Sequence, residues 1–219
     1  MSTRYTLIAG TKDWSSWSLR PYLALRHIGV PFEEEIVPLR RETTSPEILQ
    51  YSPAGRVPVL KIAEGGVSYS VWDSLAICET LADRHAEAKL WPDDVKTRAI
   101  ARAYAAEMHS GFPDVRQQLS MDFARRHPTP ELRDETKNQI ARIITAWSEA
   151  LDTHAKDGGY LFGHFSVADC MYAPVVSRFV TYGIAVPVPV RTYLERMMAL
   201  PAMLDWGRAS QAEVDTGNA

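Results

Sequence analysis

Strand-like patterns occur only before about residue 85 of this 219-residue chain, and no other feature constrains its fold as strongly. Residues 4–9 alternate and are rich in Tyr, Thr and Ile, which predicts a first strand, and residues 32–37 are predicted as a second. Residues 57–70 give the clearest signal, because two strand-like runs flank Glu64-Gly65-Gly66, a typical hairpin turn. The sequence therefore predicts four strands, all in the first part of the chain.

Three helices are predicted among these strands. The first ends at Gly29, and the third is opened by Asp73. The second, residues 45–51, has Ser45 as its N-cap and Pro46 at its first position. In the resulting β-α-β-α-β-β-α order, the first two strands need a crossover connection and are expected to be parallel, whereas the hairpin strands must be antiparallel. We therefore expect a small mixed sheet with helices on both faces.

Beyond residue 85 only helices are predicted. Residues 90–94 are predicted to be a linker that ends in a helix cap, and the polar tail from Ser210 is expected to fray. Helical spacing of apolar residues, broken around residues 128–130, predicts helices at residues 95–118, 131–154 and 190–200. We therefore expect a first domain at residues 1–84, a linker at 85–94 and an all-helical domain at 95–219.

Ser166 and Asp169 have the spacing of a capping box, in which each side chain pairs with the backbone amide of the other residue. The box is predicted to start an apolar helix that Pro174 interrupts or kinks. We interpret it as structural, because a core helix needs such a start and no chemistry is required of it.

The composition is that of an ordinary globular protein, with 46% hydrophobic residues and a formal net charge of −3. There is no basic stripe for nucleic acid, no apolar run long enough to span a membrane, and no apolar signal-peptide core in the first residues. The two cysteines, Cys78 and Cys170, lie far apart in helix-like segments, which favours buried thiols in a reducing compartment over a disulfide. We expect a cytoplasmic protein with no membrane, nucleic-acid or metal partner.

Ser15, Ser16 and Ser18 cluster at the start of the first predicted helix. Serine is a common helix cap, and capping alone is the plainer interpretation. A helix start also presents free backbone amides and the positive end of the helix dipole, which can hold an anion such as a thiolate. The residues alone leave both interpretations open.

Pro58 stands at the head of a predicted strand, where a proline removes a hydrogen-bond donor. A cis bond between Val57 and Pro58 would explain this position and would free the Val57 backbone for a peptide-like ligand. A trans proline at a sheet edge is the alternative.

Asp73 and Ser74 precede an apolar helical run. One interpretation is a helix cap. The other is a binding site in which Ser74 and the helix-start amides hold a carboxylate while Asp73 balances an ammonium group.

Four segments in this order, SSWSLRPYLAL, SPAGRVPVLKI, DSLAICETLAD and SVADCMYAPVV, resemble the glutathione transferases. The first two are most similar to the zeta-like, serine-type branch, and the resemblance extends from about Tyr5 to Trp206. It implies a thioredoxin-like α/β domain followed by an all-α domain, with glutathione as co-substrate and no metal. It also implies a homodimer.

The resemblance implies that Ser15 matches the hydroxyl that contacts the glutathione sulfur, with Ser16 as its neighbour. Zeta enzymes have a cysteine where this chain has Trp17 and a basic residue where it has Tyr22. These departures argue against the specific isomerase activity of zeta enzymes, which acts on maleylacetoacetate. The lack of a cysteine at the sulfur-contacting position likewise disfavours an omega-like thiol-transferase mechanism.

By the same resemblance, Val57 before Pro58 is expected to pair with the cysteinyl backbone of glutathione. Asp73 and Ser74 match the pair that holds the γ-glutamyl end, and Arg56 is expected to reach the glycine carboxylate.

The family's usual second-substrate position falls on the predicted helix at residues 95–118. Its candidates here are Met108, His109, Phe112 and Arg116. Core positions for Met108 and Phe112, and surface positions for the other two, are the alternatives.

We expect an enzyme that transfers the glutathione thiolate to a small electrophile, with a role in detoxification. One alternative is a glutathione-dependent isomerase of a small dicarboxylate, and another is a non-catalytic module that binds ligands or proteins. The joint presence of the serine cluster, the Val57–Pro58 turn and the Asp73–Ser74 pair favours an active site.

Overall fold

A computed structural model describes residues 3–155 and 158–219 of the protein. Its strands are β1 (Arg4–Gly10), β2 (Phe32–Val37), β3 (Val59–Glu64) and β4 (Val67–Val71). They form one sheet in the order β2-β1-β3-β4. β1 pairs with β2 in parallel and with β3 antiparallel, and β3 pairs with β4 antiparallel, as expected for a crossover followed by a hairpin.

Nine helices in the described chain complete the fold. They are α1 (Ser16–Ile28), α2 (Thr44–Leu49), α3 (Ser74–Arg84), α4 (Val95–Ser110), α5 (Pro113–Gln118), α6 (Asp134–His154), α7 (Val167–Thr181), α8 (Val188–Met198) and α9 (Pro201–Asp215). None of the described helices is long and apolar enough to cross a membrane.

The turn between β3 and β4 depends on two glycines. Gly65 and Gly66 have φ angles of 59° and 84°, which residues with a Cβ rarely adopt. The predicted Gly-Gly turn is therefore confirmed. β3 begins at Val59 and not at Val57, because Pro58 has no N–H to donate to a ladder.

The sheet is covered on both faces, because successive side chains of β1 point to opposite sides. Leu7 packs into the main core together with residues of α1 and α3. Ile8 packs on the other face with Val37, Val59 and Ile48 of α2. The expected helices on both faces are therefore present.

Helix α7 is buried along almost its whole length and packs against α1 and α4. Its predicted capping box is confirmed, since Asp169 accepts a hydrogen bond from the Ser166 amide at 2.9 Å. The helix continues through Pro174, so of the two predicted effects, an interruption or a kink, the interruption does not occur. Packing on all sides outweighs the cost of an internal proline, about 3 kcal/mol.

The two cysteines are both buried and unbonded, as expected. Burial raises the pKa of Cys78 to about 12, so its thiol stays protonated at neutral pH.

The prediction of one helix at residues 95–118 is wrong, because the structure divides this segment into α4 and α5. Helix α4 ends at Ser110, and Phe112 adopts the left-handed region with a φ of 58°. Pro113 starts α5, where its missing N–H has no cost, and it disfavours a helical conformation for the residue before it. The apolar spacing continues across Pro113, which is why the pattern alone predicts a single helix.

The predicted cap of α2 is also wrong. The helix begins at Thr44 with Thr43 in the cap position, whereas Ser45 was expected to cap it and Pro46 to start it. The Thr44 hydroxyl donates to the Pro38 carbonyl at 2.6 Å, and this contact with the preceding loop fixes the helix start earlier.

Helix α6 begins at Asp134, three residues after the predicted start at Glu131. The Gln118 side chain donates to the Glu131 carbonyl at 3.3 Å and accepts from the Arg133 amide at 2.9 Å. These bonds hold the segment before α6 outside the helix, and no local pattern reveals them.

The C-terminal prediction needs the largest correction. The helix predicted at residues 190–200 is α8, and the tail expected to fray from Ser210 is the second half of α9. Trp206 and Ser210 are both 0% exposed, and the Ser210 hydroxyl donates to Asp13, 197 residues earlier in the chain. A long-range contact therefore orders a helix that its own composition does not predict.

Asp169 is expected to be essential for stability. Its buried carboxylate accepts hydrogen bonds from the Leu161 amide, the Ser166 amide and the Tyr193 hydroxyl at 3.2, 2.9 and 3.1 Å. Each buried donor left unpaired costs about 1–3 kcal/mol, so Asp169→Ala should lower the free energy of unfolding by at least about 3 kcal/mol. Urea denaturation followed by circular dichroism measures this change. Asp169→Asn keeps one acceptor oxygen and should give an intermediate loss; a loss below about 1 kcal/mol for the alanine variant would contradict the assignment.

Candidate functional site

The serine cluster lies at the junction of β1 and α1. Ser15 occupies the cap position of α1, Ser16 is its first residue, and the two are 4% and 7% exposed. The Ser15 hydroxyl donates to Ser18 Oγ at 2.7 Å, and Ser18 Oγ in turn accepts from the Gly10 amide at 3.2 Å. Within the described chain the Ser15 side chain caps no helix amide, so capping alone does not account for it.

The peptide bond between Val57 and Pro58 is cis, which was one of the two alternatives for this turn. Pro58 is buried, Val57 is half-buried and Arg56 is exposed. Together with Trp72 and Asp73 they line a cleft of about 380 Å³. A ligand in this cleft would lie beside the Val57 backbone.

Asp73 caps helix α3 and also contacts the helical part of the chain. Its Oδ1 accepts from the Leu75 and Ala76 amides at 3.1 and 3.3 Å. Its Oδ2 lies 2.8 Å from Nε2 of His109 on α4. The carboxylate therefore joins a helix start of the sheet-containing part to α4.

Ser74 lies beneath this surface, with 0% of its area exposed. Its hydroxyl oxygen accepts a hydrogen bond from Nη1 of Arg20 at 3.3 Å. Because the guanidinium supplies that hydrogen, the Ser74 hydroxyl keeps its own hydrogen to donate elsewhere.

Three arginines from three helices lie near one another, and two of them contact the Trp17 ring. The guanidinium of Arg20 stacks over the Trp17 ring at 4.1 Å, and that of Arg116 lies 5.4 Å from the same ring. Arg178 on α7 is 4% exposed, and its Nε, like that of Arg20, is buried without a hydrogen-bond partner in the described chain. None of the three forms a salt bridge with a carboxylate among the described residues.

Burial and mutual repulsion lower the pKa values of the arginines in this cluster. Burial, reinforced by the charges of nearby Arg178 and Arg116, lowers the pKa of Arg20 to about 9. Burial likewise lowers the pKa of Arg178 to about 10. Both side chains remain charged at neutral pH, and neither pairs directly with a carboxylate in the described chain.

Of this cluster, only Arg116 was among the site residues predicted from the sequence. Arg178 carries a usable signal, since it is a lone cation in an apolar helix. Arg20 carries none, because an arginine at the start of a half-buried helix is more often exposed. Its burial follows from the packing of α1 against α7.

The predicted second-substrate residues separate into two groups. Met108 and Phe112, 0% and 6% exposed, lie in the core, so the structure does not place them on an open pocket. His109 contacts the Trp17 ring edge-on at 5.4 Å between ring centres, and Arg116 approaches the same ring. His109 and Arg116 are therefore the candidates that lie near the serine cluster.

A larger cavity of about 750 Å³ lies elsewhere, near the C-terminal end of α1 and the start of α9. His27, Tyr160, Phe165 and Pro201 are among the residues that line it. No predicted site residue does, so cavity size does not identify the site.

Comparison with known proteins places this geometry in a family. Two family models match, "Glutathione S-transferase, N-terminal domain" at residues 14–84 and "Glutathione S-transferase, C-terminal domain" at residues 130–208. A maleylacetoacetate isomerase from Mus musculus is 30% identical over 172 residues, which are 74% of this chain and 72% of that protein. A glutathione S-transferase 1 from Dianthus caryophyllus is 29% identical over 170 residues, 76% of this chain and 74% of that protein. The chain belongs to the glutathione S-transferase family.

The fold agrees with this membership. A glutathione transferase homologue from a Burkholderia strain, solved with bound glutathione, superposes with a TM-score of 0.71 at 24% identity, over 95% of this chain and 98% of that one. The predicted thioredoxin-like domain and all-helical domain of this family are both confirmed. The described residues contain no group of three or more metal-ligating side chains.

The contact between His109 and Asp73 should affect the pKa of the His109 ring. Burial lowers the pKa of His109; the Asp73 charge opposes this shift, and the charges of Arg20 and Arg116 reinforce it. We expect the His109 ring to titrate below its usual value of about 6.5. Asp73→Asn should lower this pKa further, and Arg116→Gln should raise it.

Nuclear magnetic resonance of ¹³C-labelled histidine rings against pH measures these shifts. His164 hydrogen-bonds to the Lys89 carbonyl and contacts neither residue, so a changed His164 signal in either variant would reveal a wider disturbance of the fold. A His109 ring that titrates above 6.5 would show that the Asp73 charge outweighs burial, and an unchanged value in Asp73→Asn would show that the contact is absent in solution.

Proposed function

We propose that the protein conjugates the thiolate of glutathione to a small electrophile. The observation that carries this proposal is the pair of buried serines at the start of α1, whose hydroxyls are not used as helix caps. A thiolate at that point would meet a hydroxyl donor and the positive end of the helix. A serine stays protonated there and acts as a donor, not as a base.

The energies involved are sufficient. A free thiol has a pKa of about 8.5, so lowering it by about two units requires about 2.7 kcal/mol of preference for the anion. A hydrogen bond from a hydroxyl to a charged group supplies about 1.5–3 kcal/mol. The start of a helix adds about 0.3–1 kcal/mol. Neither a metal nor a general base is needed for this activation.

We place the remainder of glutathione in the cleft beside Pro58. In our proposal the Val57 backbone pairs with the cysteinyl unit, Asp73 balances the γ-glutamyl ammonium, and Arg56 reaches the glycine carboxylate. Exposure of Asp73 and Arg56 at this cleft supports these roles. Ser74 would donate to the γ-glutamyl carboxylate once its buried hydroxyl is uncovered, and the Arg20 contact supports this role because it leaves the Ser74 hydrogen free.

A second candidate is a glutathione-dependent isomerase that acts on a small dicarboxylate. Relatives named maleylacetoacetate isomerase support it, and so does the uncompensated positive charge of Arg20, Arg116 and Arg178, which an acidic substrate would balance. Trp17 and Tyr22, where zeta enzymes have a cysteine and a basic residue, count against it. A non-catalytic binding module is the third candidate.

We also propose a cytoplasmic homodimer whose subunits divide into parts 1–84 and 95–219, joined by residues 85–94. Large apolar side chains exposed on β4 and α4, among them Val67, Tyr69, Val95 and Ile100, support a subunit contact there.

The serine assignment is tested by two matched variants. Ser15→Ala is expected to leave glutathione bound and to raise its thiol pKa by about one to two units, because the charge-assisted hydrogen bond is lost. The rate of conjugation near neutral pH should fall in proportion to the lost thiolate. Ultraviolet absorbance of the bound thiolate against pH gives the pKa, and Ser16→Ala is the control, with little change expected.

A shift in the Ser16 variant alone would assign the sulfur contact to the other serine. Absence of thiolate at pH 7 in the unmodified protein, with no shift in either variant, would overturn the catalytic proposal in favour of the binding module.

The isomerase candidate is tested at Arg116. If an acidic substrate pairs with its guanidinium, Arg116→Gln should lower kcat/KM for a carboxylate-bearing electrophile by about tenfold or more. The value for an uncharged electrophile should change less than about twofold. Arg102→Gln is the matched control, since Arg102 is exposed on α4 and pairs with Glu79. Equal losses for both substrates would remove the support that the arginines give to this candidate.

A further inference from the structure

Helix α9, which local sequence does not predict, holds the loop that leads into the serine cluster. Glu213 Oε1 accepts a hydrogen bond from the Lys12 amide at 2.9 Å, and its Oε2 accepts one from the Asp13 amide at 3.0 Å. One carboxylate thus satisfies two successive backbone donors that no helix or sheet uses.

Two more side chains from the same face of α9 bind the same loop. Trp206 Nε1 donates to the Lys12 carbonyl at 2.9 Å, and the Ser210 hydroxyl donates to Asp13 Oδ1 at 2.6 Å. Residues 206, 210 and 213 are spaced by four and three positions, the spacing that aligns side chains along one face of a helix. The helix therefore presents a matched row of groups to two loop residues.

The loop is fixed from its other side as well. The buried Asp13 carboxylate accepts from the Ala124 amide at 2.9 Å and from Arg125 Nη1 at 3.1 Å. Two residues after Asp13, the Ser15 amide donates to the Thr11 carbonyl at 2.8 Å. The position of Ser15 thus follows from how residues 11–13 are held.

We propose that Glu213 is a positioning residue for the sulfur-contacting serine, so that thiolate formation depends on the C-terminal end of α9. This inference rests on the proposed transfer of glutathione. Glu213 lies at the loop and not at the sulfur, and it acts through the backbone that carries Ser15. Small displacements of a reacting group reduce rates strongly. Loss of the Glu213 contacts with the loop should therefore lower the rate of the reaction more than the affinity for glutathione.

The experiment compares Glu213→Ala with Asp215→Ala. Asp215 is an acidic residue of the same helix whose contact is with Gln211, not with the loop, so it controls for charge and helix stability. We expect Glu213→Ala to raise the thiol pKa of bound glutathione by about one unit and to lower kcat about tenfold at pH 6.5. The KM for glutathione should stay within about twofold, and Asp215→Ala should match the unmodified protein.

Glu213→Gln is the second variant, useful if the alanine variant folds poorly. This variant keeps one acceptor oxygen for one amide. The thiol pKa of bound glutathione and the kcat should therefore fall between those of the unmodified protein and the alanine variant. An unchanged pKa and kcat in a folded Glu213 variant, even with a lowered melting temperature, would show a purely structural role and overturn this inference alone. Absence of bound thiolate in the unmodified protein would overturn it together with the proposed function.

Discussion

Helix α1 packs against α7 on one side and against the sheet and α3 on the other, and this double contact holds the start of α1, where the serine cluster lies. Leu19 and Leu23, at most 1% exposed, belong to a single core that continues from the sheet into the helical part. Burial of each such side chain contributes about 1.5–3 kcal/mol. Because α1 cannot shift without disturbing both parts, its first turn holds Ser15 and Ser16 at a fixed place between them.

The same packing gives the site its electrostatic character. Arg20 and Arg178 are taken out of water without a carboxylate partner among the described residues, which costs free energy. Stacking of Arg20 on Trp17 offsets part of that cost. A bound anion would offset more of it, whether a thiolate, the γ-glutamyl carboxylate or an acidic substrate. A site that is destabilised when empty in this way favours negatively charged ligands.

Features set by neighbouring residues could be predicted from the sequence, and features set by distant ones could not. The Gly65–Gly66 turn, the Asp73 cap and the Ser166–Asp169 box are local, and the structure contains all three. The α4–α5 break shows a local signal, Pro113, concealed by continuous apolar spacing. Helix α9 and the buried arginines follow from contacts far apart in sequence, such as Glu213 with Lys12 and Arg20 with Ser74.

In the proposed mechanism a serine at the start of α1 donates its hydrogen to the sulfur of bound glutathione, and a crystal structure of the complex would test this contact. The Ser15 hydroxyl should turn away from Ser18 and lie at hydrogen-bond distance from the sulfur, while the cysteinyl backbone pairs with Val57. A sulfur that lies away from the first turn of α1, or glutathione bound outside the cleft beside Pro58, would contradict it.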